Sequence, residues 1–163
     1  MTKIQFSFLQ IISIFCLTLF LVTACSESDC SITNRPACRF VFVETETGEE
    51  LALTDTITVT ALDTDSILLN RATRMTYISL PLSYTSSVTT FIIQYHNRGY
   101  RDTIALYHTN IPHFISMDCG RDMFFHIDDI YRSTNILDDA IVTNPDIRDH
   151  EKENVKIYYS ADQ

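Results

Sequence analysis

Short runs that alternate between apolar and polar residues fill this chain, each closed by turn chemistry. Arg39–Glu44 (RFVFVE), Thr56–Leu62 (TITVTAL), Val88–Tyr95 (VTTFIIQY) and Tyr100–His108 (YRDTIALYH) are rich in β-branched and aromatic residues. Ser66–Asn70, Thr76–Leu80, Pro112–Cys119, Met123–Ile130, Ala140–Thr143 and Asn154–Tyr159 continue the set. Between them stand Thr45–Glu50 (TETGEE) with Gly48, Pro81 behind Thr76–Leu80, and Asn97-Arg98-Gly99, which reads as a hairpin loop. Only Ser133–Ala140 could hold a helical turn. A strand shows its side chains alternately on two faces, so many short strands must pair into sheets and bury one face of each. The pattern predicts an all-β fold, a single antiparallel β-sandwich that is immunoglobulin-like or similar.

The first 24 residues are different. They hold one basic residue, Lys3, and no acidic one, and Ile4–Val22 is nearly all apolar. A run of ~20 apolar residues is long enough to cross a bilayer. A charged start, an apolar core and small residues before a cut instead describe a secretory signal that is removed. The seam decides for the signal: Val22-Thr23-Ala24-Cys25 resembles the bacterial lipobox. That resemblance implies a diacylglycerol thioether on Cys25, cleavage after Ala24 and acylation of the new amino terminus. The residues suit the chemistry, because a thiolate is the nucleophile lipid transfer needs. Two or three acyl chains anchor a protein essentially permanently, where one holds it only marginally. The expected organisation is therefore a lipoprotein signal peptide at 1–24, lipidated Cys25 and a tether at 25–37, and a β-sandwich at 38–163. The expected location is the cell envelope, lipid-anchored at the outer membrane on its periplasmic or surface face. Glu27 and Asp29 behind Cys25 resemble the export signal some Gram-negative lipoproteins use to reach the cell surface; they serve equally well as a solvated tether.

Charge narrows the partners. The chain has 21 acidic and 12 basic residues, and Lys3 is the one charged residue in the leader, so the mature part is more acidic than the whole. Nucleic acid and anionic headgroups both attract positive charge, so no nucleic-acid partner is expected. The expected partners are the membrane, through the lipid, and an envelope protein or glycan. Cysteine usage fits an oxidising compartment. Cys16 falls in the leader, Cys25 takes the lipid, and Cys30, Cys38 and Cys119 remain as disulfide candidates. Three thiols allow one bridge. Cys30–Cys38 would close a short loop, whereas a bridge from either to Cys119 would close a long one and stabilise by a few kcal/mol.

Motifs for catalysis are missing. His96, His108, His113, His126 and His150 show no HExxH or other metal spacing, and no metal or cofactor is expected. No GxSxG elbow and no phosphate-cradling glycine loop occur. Asp63-Thr64-Asp65 lacks the EF-hand pattern, and a turn rich in Asp needs no ion. Asp128-Asp129 and Asp138-Asp139 are neighbours, which point to opposite faces in a strand. No catalytic residue is assigned, and the chain is read as a non-enzyme. Tyr77, Tyr84, Tyr95, Tyr100 and Tyr107 are aromatics available to a glycan. Asp55-Thr56-Ile57, Asp65-Ser66-Ile67 and Asp102-Thr103-Ile104 share one order: Asp, hydroxyl, aliphatic. They resemble the O-glycosylation acceptor used on exported proteins by some Gram-negative gut and oral bacteria, which makes Thr56, Ser66 and Thr103 candidate modification sites. The plain alternative is that each triplet marks entry from a turn into a strand.

The Cys25 seam, Cys30 ahead of the first strand, Asp118-Cys119-Gly120, Val142–Ile147 (VTNPDI) and the ending Glu153–Tyr159 (ENVKIYY) together resemble a family of small Gram-negative cell-envelope lipoproteins of unknown function. The resemblance implies a bridge between Cys30 and Cys119, with Cys38 a departure from the simplest pattern. It implies no activity, ligand or catalytic residue. The function expected is a binding or scaffolding module, with a surface glycan-binding accessory protein as the alternative.

Overall fold

The computed structural model describes residues 35–160 apart from Asp118. The leader, Cys25 and Cys30 lie outside the described residues. In chain order the strands are β1 (Cys38–Glu44), β2 (Ile57–Ala61), β3 (Ser66–Ala72), β4 (Tyr77–Leu80), β5 (Val88–Tyr95), β6 (Arg101–Ser116), β7 (Gly120–Arg132), β8 (Asp139–Val142), β9 (Asp146–Ile147) and β10 (Glu153–Tyr159). They form a four-stranded sheet, β4-β1-β10-β8, and a six-stranded sheet, β3-β2-β5-β6-β7-β9. No helix occurs among the described residues.

Alternation builds the core. On β5, Phe91, Ile93 and Tyr95 are buried while Thr90, Ile92 and Gln94 are half-buried on the other face. From the smaller sheet, Phe40, Phe42, Ile157 and Tyr159 join the same buried cluster. Phe40 meets Phe91 edge-to-face at 5.9 Å, and the buried hydroxyls of Tyr95 and Tyr159 lie 2.8 Å apart. Burial raises the pKa of both phenols and keeps them neutral.

The antiparallel expectation fails at one pairing. β1 runs parallel to β10, with Phe40 opposite Val155 and Phe42 opposite Ile157. Local alternation carries no information about direction, and these segments meet from opposite ends of the chain. β1 is flanked on both sides, and Phe40 to Val43 are buried on both faces, as parallel pairing favours.

β6 also differs from expectation. It runs unbroken through Pro112, whereas the sequence pattern predicts two runs, Tyr100–His108 and Pro112–Cys119. Its pairing with β5 ends at Tyr107, and beyond that β6 is paired to β7 alone. A residue without an N–H is tolerated on such an unpaired side. The helical turn expected within Ser133–Ala140 is absent; residues 133–138 are a loop held by Asp102. On β3, Arg71 adopts φ 48°, where the register shifts between Ile57 and Val59. Its N–H donates to Thr58 Oγ1 at 3.1 Å. Arg71 is the extra residue of a β-bulge.

Candidate functional site

β4 is an outer strand of its sheet, and a groove of about 340 Å³ runs along it. The Phe42 N–H donates to the Thr76 carbonyl, and the register then places Ile78 opposite Phe40 and Leu80 opposite Cys38. Antiparallel ladders alternate, so Tyr77 and Ser79 turn their backbone N–H and C=O groups away from β1, toward the groove. Leu68 and Leu69 of β3 and Met75 form its apolar wall and pack on the core. Polar groups sit at the rim. The Arg39 guanidinium lies 3.7 Å from the centroid of the Tyr77 ring, and its Nη1 donates to the Glu151 carbonyl at 3.1 Å. His150 Nδ1, also at the groove, is buried and has no hydrogen-bond partner among the described residues. The groove therefore offers a free strand edge, an apolar wall and a cation. That combination suits an extended peptide segment.

A second polar cluster lies behind the loop at 83–87. Thr89 Oγ1 accepts the Ser83 N–H at 2.8 Å and lies 2.8 Å from His108 Nε2. His108 Nδ1 lies 2.7 Å from Asn110 Oδ1, and Asn110 Nδ2 donates to the carbonyls of Ser83, Tyr84 and Ser86. Asn110 spends its amide on those carbonyls, so its Oδ1 accepts from Nδ1–H, and with the imidazole neutral the Thr89 hydroxyl donates to Nε2. Burial lowers the pKa of His108, against the opposing pull of Asn110 and Asp128. The order hydroxyl, imidazole, amide is that of a nucleophile, a base and an orienter. Here the hydroxyl is buried and already fastens the loop backbone, so the cluster pins residues 83–87 to the sheet.

The other histidines scatter. His96 bonds Thr58 Oγ1 at 2.8 Å, His113 stacks on Phe124 at 4.3 Å, and His126 pairs with Asp146 at 2.7 Å. No group able to hold a metal forms among the described residues. Of the cysteines, Cys38 is a free thiol buried in the core, where desolvation raises its pKa. Cys38 therefore drops out as a bridge partner, its side chain being packed inside the sheets. Cys119, at the β6–β7 turn, does not titrate as a free thiol. The three Asp-hydroxyl-aliphatic triplets divide. Asp55 and Asp102 are buried and bind backbone N–H groups, and Thr56 and Thr103 beside them are half-buried. Ser66 is exposed. Of the tyrosines, Tyr95 is core; Tyr77, Tyr84, Tyr100 and Tyr107 are exposed. Sequence reasoning missed the groove at β4 and the His108 cluster; the spacing of His108 and Asn110, which puts both on one strand face, was the one available hint.

The chain belongs to a family of unknown function (DUF6452), whose model matches residues 56–159. No curated protein and no solved structure matches it.

Proposed function

We propose that this member of the family is a non-enzymatic, lipid-anchored binding module of the cell envelope. In this reading Cys25 carries the acyl chains at the outer membrane, and Cys119 is bridged to Cys30. The body is a β-sandwich that presents the free edge of β4 to a segment of an envelope protein. The observation that supports it is the outward-turned backbone of Tyr77 and Ser79 beside an apolar wall. An extended peptide would add a strand there, place alternate side chains against Leu69 and Met75, and set a carboxylate near Arg39.

The test is crosslinking in intact envelopes from a photoreactive residue at Ser79, followed by the same capture in Leu69→Arg and Tyr77→Pro backgrounds. The reading requires a discrete adduct that both substitutions abolish while the urea midpoint stays within the range of ordinary surface changes. An adduct that survives both refutes it. One observation favours the glycan alternative: Tyr107 and Tyr131, both exposed, are diagonal neighbours on the outward face of β6 and β7. Retention on a glycan array that Tyr107→Ala and Tyr131→Ala abolish would move the function to that face.

A further inference from the structure

The hairpin of β6 and β7 outruns its sheet. β5 leaves β6 at Tyr107, and the β7–β9 pairing reaches only Phe125 and His126. From Ile111 to the turn, β6 and β7 pair with each other alone among the named strands. This arm is about 15–20 Å long at the usual rise per residue. Near its end large apolar side chains stand in water: Phe114, Ile115 and Met117 are 56%, 51% and 90% exposed. A water-facing protein gains nothing from apolar side chains exposed on both faces of a hairpin end, and exposed apolar surface marks a contact.

The position of Arg35, ten residues after Cys25, selects the occupant. Tyr84 donates to Asp122 on the arm at 3.0 Å. Cys38 lies opposite Leu80 in an antiparallel pair, so Arg35, three positions before Cys38, and Tyr84, four positions past Leu80, lie on the same side of the body, near enough for the charge of Arg35 to act on the Tyr84 phenol. Cys25 and Arg35 are ten positions apart, at most about 35 Å when extended. Arg35 and the root of the arm thus share one side of the body, and the chain length from Cys25 to Arg35 is enough to match the length of the arm.

We infer that the end of the β6–β7 hairpin dips into the interfacial layer of the bilayer to which Cys25 is anchored. The inference rests on the lipid anchor proposed above. A few apolar side chains alone would bind a bilayer weakly, but a covalent tether of this length supplies a high effective concentration. The lipid holds the protein to the membrane, and the arm fixes which way the body faces.

The chain has no tryptophan, so a single one is a clean reporter. Met117→Trp and Phe114→Trp place it on the arm, and Tyr100→Trp places it at the far end of β6. Each acylated variant, processed at Cys25 and otherwise complete, is reconstituted into phosphatidylethanolamine–phosphatidylglycerol vesicles doped with dibrominated phosphatidylcholine. The arm reporters should shift to the blue and lose most of their emission to the brominated chains, while the reporter at position 100 keeps its own. Equal emission at all three positions in protein that floats with the vesicles and carries the acyl mass overturns the arm contact and leaves the anchor standing. Protein without the acyl mass overturns the anchor, and the arm contact with it.

Discussion

One strand, β6, carries two buried polar residues that each hold a distant loop, and they do so with opposite chemistry. Asp102 is a pure acceptor. Its Oδ1 takes the Ser133 hydroxyl at 2.6 Å and the Asn135 N–H at 2.8 Å, and its Oδ2 takes the N–H groups of Ile136 and Leu137 at 2.9 and 3.0 Å. His108 both gives and takes, and works only as neutral imidazole. The carboxylate gathers donors that a loop cannot satisfy internally. The imidazole passes one polarity through three side chains. A charge with four donors tolerates no missing acceptor; a neutral relay depends on every hydrogen being placed correctly.

Removing Asp102 should have the largest effect. Asp102→Ala strands three backbone N–H groups and a hydroxyl in a region where Ile136 and Leu137 are buried. The expected loss is about 3–5 kcal/mol in urea unfolding. Asp102→Asn sharpens the point: it keeps one acceptor but turns an NH₂ toward donors, so about half that loss is expected. If Asn is as stable as Asp, the loop is held by packing rather than by the carboxylate.

His108 comes next. His108→Leu leaves the Thr89 hydroxyl and Asn110 Oδ1 without their partner, and should cost about 2–3 kcal/mol at neutral pH. The pH dependence separates the two anchors. The pKa of His108 in the folded protein is lowered from 6.5, mainly by burial. The unfolded chain therefore binds the proton first. The stability from this group is complete above about pH 6.5 and is lost as pH falls from there through the lower folded value. Wild type should weaken on that acid limb, and His108→Leu should flatten it. An unchanged limb in the variant would assign the acid sensitivity to the carboxylates instead.

These anchors also mark where sequence stops being legible. Strand positions follow from alternation, because one face of β5 or β10 must be apolar to meet the other sheet; that reading needs only neighbours two apart. Asp102 lies more than thirty positions from the loop it organises, so Ser133–Ala140 looked able to turn helically when judged by its own residues. β9 spans two residues and exists only because β7 offers it an edge, so no local pattern could announce it. The parallel seam of β1 and β10 joins opposite ends of the chain, and Pro112 split β6 on paper because the missing neighbour beside it was invisible. The groove at β4 depends on which strand ends a sheet, a property of topology rather than of any residue. His108 could be counted among five histidines, but Thr89, its partner, looks like any other strand threonine.

The smallest effect expected lies where backbone, not a side chain, does the holding. Arg71 occupies the left-handed region at φ 48° as the extra residue of the bulge against β2, and its N–H is already satisfied by Thr58. A side chain in that conformation costs on the order of 1 kcal/mol, whereas glycine adopts it freely. Arg71→Gly removes that strain but adds unfolded-state freedom, and gives up an exposed contact of Arg71 Nη1 with His96 at 3.5 Å. Arg71→Ala gives up the same contact and keeps the strain. The Gly variant should therefore be more stable than the Ala variant by about 0.5–1 kcal/mol. Two anchors on β6 trade in hydrogen bonds, and their removal is read in unsatisfied groups; this bulge trades in one dihedral angle, and only the Gly-to-Ala difference isolates it. Equal stability of the two would mean that the bulge can relax, and that β3 is held by its hydrogen bond to Thr58 in the same manner as the loops that Asp102 and His108 fasten.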